Sequence, residues 1–433
     1  MWPRRRPRRC AMMARMAGAG PSSRDPYANP EISRFIGSME GLPDFTDIAE
    51  TPAERLARQS WAEAGHAWLE RAGQLAPGVL LALALALLGR SASEWIGSGL
   101  FDLARSPVSP ILIAILAGLL VRNTVGLPTV YEEGLRFCIK HILRIGVALL
   151  GIRLSLGAAG QIGLVALPII VVCIATALLA VRFVARALSL PARLGTLVAV
   201  GTAICGNTAI VATGPVIDAS DDEISYAVGT ITLFGLVALI LHPFIAHWLF
   251  GGDPVLAGLF LGTAIHDTAQ VAGAGLLYSQ QYASPLALDT ATVTKLVRNL
   301  FMIAVIPLMA LAYHGRASRS GKRSSPPLVE MVPLFVFGFL GMVTLRTVGD
   351  LGDAPFGGLL DTEAWNALIA ACATLSAWCL TTAMSAVGLG THLARLRGLG
   401  LRPLGAGLAA AVTVGAVSAA LIHLAAPWLG ALG

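Results

Sequence analysis

Runs of about twenty apolar residues recur along this 433-residue chain, and that recurrence restricts it to one class of fold. A bilayer core is about 30 Å thick, and lipid offers no partner to a free backbone N–H or C=O. A chain built of such runs therefore crosses as helices, each closing its own hydrogen bonds. Eleven candidate spans are read, near residues 77–98, 109–122, 137–156, 163–186, 194–217, 223–249, 254–278, 291–313, 328–348, 364–388 and 403–430. Hydrophobic residues make up 55% of the chain and charged residues 13%, which excludes an ordinary soluble domain. The expected fold is an all-α integral membrane protein.

Loop charge supports the count. Arg122, Arg136 and Lys140 lie on one side, as do Arg182, Arg186 and Arg193, then Arg316, Arg319, Lys322 and Arg323, then Arg395, Arg397 and Arg402. The acidic runs Asp218 to Glu223 and Asp350 to Glu363 fall on the other side. The positive-inside rule then places the N-terminus in the cytoplasm and the C-terminus outside. These loops, with the Arg-rich first fifteen residues, account for the net charge of +6 without nucleic acid. No signal peptide is read there, and Met12, Met13 or Met16 are alternative starts. The six cysteines form no C-x-x-C pair, so no metal site, disulfide framework or cofactor is expected. Neither H-E-x-x-H nor G-x-S-x-G occurs, and no enzyme is expected. Residues 1–50 are polar and read as disordered. Thr51 to Gln74 reads as an amphipathic helix, either on the membrane surface or a soluble helix of no consequence.

An internal repeat is visible. The second span matches the seventh through Pro110 and Pro254, Gly118 and Gly262, Asn123 and Asp267, Thr124 and Thr268. The third and eighth share Lys140 and Lys295; the fourth and ninth share Pro168 and Pro333. Cys205-x-x-Thr208-Ala209 in the fifth matches Cys379-x-x-Thr382-Ala383 in the tenth. The sixth and eleventh share Gly235 and Gly415, and Trp248-Leu249 with Trp428-Leu429. Units of five spans enter the membrane from opposite sides, so a 5+5 inverted repeat is expected. The implied parts are an N-terminal extension over 1–75, an extra helix over 76–108, and repeats over 109–252 and 253–433.

Depth selects the polar groups that matter. At about 1.5 Å per residue, His266 and Asp267 lie roughly 18 Å from the inner end of their span, near the midplane. Asn207 reaches a similar depth from the inner side, and Thr381 and Thr382 from the outer side. Cys205-Gly206-Asn207-Thr208 reads as a break in the fifth span, with a crossing break expected in the tenth. Half-helix N-termini at such breaks favour an anion. Lys295 and Arg298 are three apart on one helix face and are candidate anion ligands; alternatively, Lys295 pairs with Asp267. Gln270, one turn after His266, completes the candidate binding set of Cys205, Gly206, Asn207, Thr208, Gln270, Lys295, Arg298, Thr381 and Thr382. His266 and Asp267, with Asn123 by the repeat, are candidates for ion coupling. Lys140 and Arg144 are either a second cationic site or snorkelling anchors.

Taken together, GTAICGNTAI (201–210), GTAIHDTAQVAGAG (262–275) and Lys295-x-x-Arg298 resemble the YeiH-type sulfate exporter family over residues 76–430. The resemblance implies a carrier in the bacterial inner membrane, with an architecture similar to sodium/proton antiporters and bile-acid sodium symporters. The expected function is secondary transport of a small, sulfate-like anion, with a proton or sodium as coupling ion and a homodimer compatible with it. The alternatives are a cation/proton antiporter built on Asp267 and Lys295, and a membrane sensor or partner subunit.

Overall fold

Apolar sequence closes into helices wherever a side chain or proline can start them, and the starts here are explicit. In the computed structural model, which describes residues 61–103, 106–314, 334–352, 354–396 and 400–429, every regular element is helical. Ser109 caps α2 (Pro110–Thr124) by accepting from the N–H of Leu112. Ser155 does the same for α5 (Leu156–Ala187) through Ala158. Ser220 and Glu223 form a reciprocal capping box on α8 (Asp221–Leu249). Asp253 takes two N–H groups at the head of α9 (Pro254–Ala264), and Asp361 starts α14 (Thr362–Gly390).

The remaining described helices are α1 (Trp61–Glu94), α3 (Glu132–Phe137), α4 (Leu143–Leu150), α6 (Ala192–Ala203), α7 (Asn207–Thr213), α10 (Thr268–Tyr282), α11 (Pro285–Leu300), α12 (Met302–His314), α13 (Leu334–Gly349), α15 (Leu393–Leu396) and α16 (Leu401–Leu429). A π turn, Cys138–Ile142, joins α3 to α4. Among the described residues, six segments are long and apolar enough to cross a membrane: Glu70–Leu100, Leu156–Ala187, Asp221–Leu249, Pro285–Tyr313, Thr362–Gly390 and Arg402–Pro427. The other five expected spans are built from shorter helices.

Two groups of helices result. α14 lies along α2, α4 and α1, and α13 packs on α4. In the second group α9 and α10 pack on α11, α5 on α6 and α16, and α8 on α6, α10 and α16. Small residues permit the closest approaches. A Cβ at Gly262 of α9 would stand 2.6 Å from the Cβ of Thr294 on α11. At Gly118 of α2 it would meet the backbone of α14 at Ser385, 2.7 Å away.

Three expectations change. The surface helix and first span are one continuous helix from Trp61, which carries Pro77 inside it, so the boundary at 75 falls mid-helix. Residues 1–60, and the basic loop at 316–323, lie outside the described residues. The tenth span is not broken: α14 runs from Thr362 to Gly390 without interruption. It has no glycine between Cys379 and Thr382, and the Thr381 hydroxyl bonds back to the carbonyl of Ala377 within the helix. The second interruption lies instead in the seventh span, between α9 and α10. The sequence pairing of two with seven and five with ten therefore joins elements of different shape.

Candidate functional site

The fifth span stops at Ile204, turns at Gly206 (φ 71°, ψ −123°) and restarts at Asn207. The seventh stops at Ile265 and restarts at Thr268, with Asp267 as the capping residue. One uninterrupted helix, α8, connects the two spans, so they run in the same sense. The sequence reading takes both from the inner side but sets the break of the fifth span against one in the tenth, approached from the outer side; the break that meets it is that of the seventh. The difference matters electrostatically. Antiparallel breaks would set a positive helix end against a negative one; parallel breaks place like ends side by side.

Buried charges compensate both pairs of ends. Lys295 is fully buried on α11 and donates to the carbonyls of Ile204, at 2.8 Å, Ile265, at 3.0 Å, and His266. Arg298, also fully buried, donates through Nε to Ala203 O, at 2.8 Å, and through Nη1 to Thr263 O, at 2.6 Å. Its Nη2 donates to Thr202 O, and a longer bond reaches Ile265 O. Both cations thus sit on the carbonyl ends of α6 and α9, whose last-turn carbonyls have no partner within their own helices. On the other side of the breaks, the Asp267 carboxylate accepts from the N–H of Ala269 at 2.8 Å. The N–H of Asn207 also bonds to it. Lys295 forms no ion pair with Asp267 among the described residues; each charge serves a different set of helix ends.

A cavity of about 230 Å³ lies at the seam between the two helix groups, beside these breaks. Its inner wall is Cys205, Asn207, Thr208, Asp267, Thr268 and Asn299. Lys140 and Arg144, four apart and both exposed, face it from the π turn and α4, and Phe335 from α13. The volume holds several waters, hence a small ion, and is below that of typical sites for drug-sized ligands.

The other candidates are placed as follows. Lys295 and Arg298 are at the breaks but do not line the cavity; their donors are engaged by carbonyls. Gln270 lies behind the wall, donating to Thr232 O at 3.2 Å and bordering an adjoining space of about 20 Å³ with Asp267. The His266 ring is fully buried outside the cavity, and neither ring nitrogen has a partner among the described residues. Cys205 contacts Met302 at 3.2 Å, sulfur to sulfur. Thr381 and Thr382 sit on unbroken α14, away from the cavity. Asn123 ties the end of α2 to the turn after α14, donating to Thr391 O and accepting from the N–H of Leu393. Two wall residues escaped the sequence reading, Thr268 and Asn299. Asn299 donates to Thr268 Oγ1 at 3.1 Å, while its own Oδ1 has no partner among the described residues. An amide four residues beyond a buried Lys was the available signal.

The comparisons with known proteins fit this picture of a membrane protein. The family model described as conserved hypothetical protein 698 matches residues 77–407. The chain is 32% identical over 347 residues to a UPF0324 membrane protein of Fusobacterium nucleatum, covering 79% of this chain and 96% of that one. It is 32% identical to a UPF0324 membrane protein of Agrobacterium fabrum, over 72% of this chain and 84% of the relative. A third, from Streptococcus pyogenes, is 34% identical over 74% and 88%. No solved structure matches.

Proposed function

We propose, from the premise that this chain belongs to the UPF0324, or YeiH-type, family of membrane proteins, that it is a secondary transporter of a small anion. One observation carries the reading: two interrupted helices meet beside a cavity that lies between two helix groups. Interrupted helices at membrane depth survive only where protein or a water-filled cavity surrounds them, and carriers bind cargo there. Relative motion of the two groups would open the seam to one side and then the other.

The site favours a small oxyanion such as sulfate. Arg144 offers a planar fork of donors and Lys140 a mobile ammonium, and both line the cavity. Asn207, Thr208 and Thr268 supply neutral polar contacts. Of the two coupling candidates, Asp267 lines the cavity and His266 does not, so Asp267 is assigned the coupling role. The proposal keeps eleven crossings in a bacterial inner membrane, with the N-terminus cytoplasmic and the C-terminus periplasmic, and includes no enzymatic activity.

Purified protein in liposomes is expected to move labelled sulfate. The Lys140→Gln, Arg144→Gln double variant is expected to raise the half-saturating concentration at least about tenfold, because two charge-assisted contacts worth about 1.5–3 kcal/mol each are removed. Thr381→Val, which alters only a bond inside α14, is expected to transport at the wild-type rate. Absence of flux for every small anion tested removes the reading. A second reading, cation/proton exchange, draws on the same carboxylate of Asp267; sodium-driven proton flux that ignores anions would favour it.

A further inference from the structure

The buried wall of the cavity already contains an anion, and it belongs to the protein. The Asp267 side chain lies 5% exposed at the head of α10, a helix of fifteen residues. Its carboxylate takes N–H donors from both restarted helices, Ala269 on one and Asn207 on the other. These are donors that an entering oxyanion would need, and the same carboxylate borders the space such an anion would occupy. Beside it, Asn299 presents an amide oxygen with no partner among the described residues, again at the cavity wall. An unprotonated carboxylate and an oxyanion cannot share that wall without like-charge repulsion in a poorly solvated place.

We propose that Asp267 is a tethered competitor for the cargo site, released by a proton, so that each anion binds together with one proton. The inference rests on the reading of the protein as an anion carrier. With the site empty of cargo, ionised Asp267 holds the N–H groups of Asn207 and Ala269. A proton taken from water in the cavity bonds to one carboxylate oxygen and neutralises it. The acid group then accepts less strongly, and the N–H groups, with Lys140 and Arg144 of the cavity lining, are free to hold the anion. The anion and proton leave together when the seam opens to the other side. Anion and proton therefore move in the same direction, and the empty carrier returns with Asp267 ionised and its own donors satisfied.

The charged and titratable groups around Asp267 permit this assignment. Lys295 and Arg298 approach from α11, but their donors are engaged by carbonyls of the helix ends. Cys205 comes from the first break and touches Met302. His266, its neighbour in the chain, is outside the cavity. Lys140 and Arg144 line the same cavity from the other helix group. Asp267 is the acidic residue among those that line the cavity, so it is the group whose charge opposes the cargo.

The test uses the full chain, sulfate as probe, and two readouts. First, sulfate is added to purified wild-type protein in weakly buffered detergent, and the pH is followed. Uptake of about one proton per bound sulfate is expected; sulfate binding, seen as a rise in melting temperature, without proton uptake overturns the inference while leaving the anion reading intact. Second, the sulfate dependence of the melting temperature is measured across pH. In wild type the apparent dissociation constant is expected to fall by up to about tenfold per pH unit on acidification, the limit for one linked proton. In Asp267→Asn, which carries no charge and keeps an acceptor oxygen, the constant is expected to be flat with pH and as low as that of acidified wild type. The same slope in the variant as in wild type overturns the inference. If Asp267→Asn fails to fold, the proton count on wild type decides alone. No response of wild type to sulfate at any pH, in binding or in flux, overturns both the inference and the reading beneath it.

Discussion

Replacing Lys295 by Met is expected to abolish transport and to lower the melting temperature in detergent more than any other single change at the breaks. Met conserves most of the length of the side chain and removes its three donors. The carbonyls of Ile204, Ile265 and His266 lose the ammonium that holds them together, and among the described residues only that of Ile265 keeps a second bond, to Arg298. Leaving buried acceptors without donors costs about 1–3 kcal/mol each, so a loss of about 3–5 kcal/mol is expected once the relieved desolvation of the ammonium is counted against it. That is a large part of the 5–15 kcal/mol, roughly, by which ordinary domains are stable. Apparent melting temperature and monodispersity of the purified variant check it. A variant that melts with wild type would mean that the cation is not what joins α6 to α9. The role of anion ligand, also open to Lys295 from the sequence, predicts a stability closer to wild type than this one does.

Gly206→Ala is the second large effect, and its signature differs. With φ at 71° and ψ at −123°, residue 206 occupies a region open to glycine and closed to residues with a Cβ. Holding another residue there costs about 1–3 kcal/mol. The added methyl would also stand 2.9 Å from Oδ2 of Asp267 and 3.1 Å from its Cβ. Asp267 must then move, which draws its carboxylate away from the N–H of Ala269 and reshapes the cavity wall. Transport is expected to be lost while the melting temperature falls by less than for Lys295→Met. Liposome flux beside a melting curve separates the two. Normal flux in Gly206→Ala would show that the apposition of the breaks is not required for function.

The resemblance to the YeiH-type family, read from the two GTAI stretches and Lys295-x-x-Arg298, agrees with the family to which the chain belongs. Membrane helices were legible because lipid enforces the same rule on every span: apolar outside, backbone closed on itself. The break at Gly206 was legible for a local reason, since a glycine followed by an amide and a hydroxyl at mid-span offers both a turn and a way to satisfy it. The seventh-span break was half visible. Its polar residues stood out, but Asp267 was read as an ion-coupling group and not also as the helix cap it is. The supposed break at Thr382 shows the limit of matching short apolar motifs. Cys379-x-x-Thr382 imitates Cys205-x-x-Thr208 in composition while lacking the glycine that lets the chain turn.

Sequence alone determined that this chain is helical, that it lives in a membrane, and that Lys295, Arg298 and Asp267 are buried where charge is costly, because those properties follow from the solvent and from spacing along one helix. Where those charges point was decided only in three dimensions. The uninterrupted α8 makes the two broken spans parallel, parallel breaks bring like helix ends together, and like ends require counter-charges: two cations on the carbonyl ends and one carboxylate on the amide ends. No single helix contains that requirement, which exists only once the two breaks lie side by side.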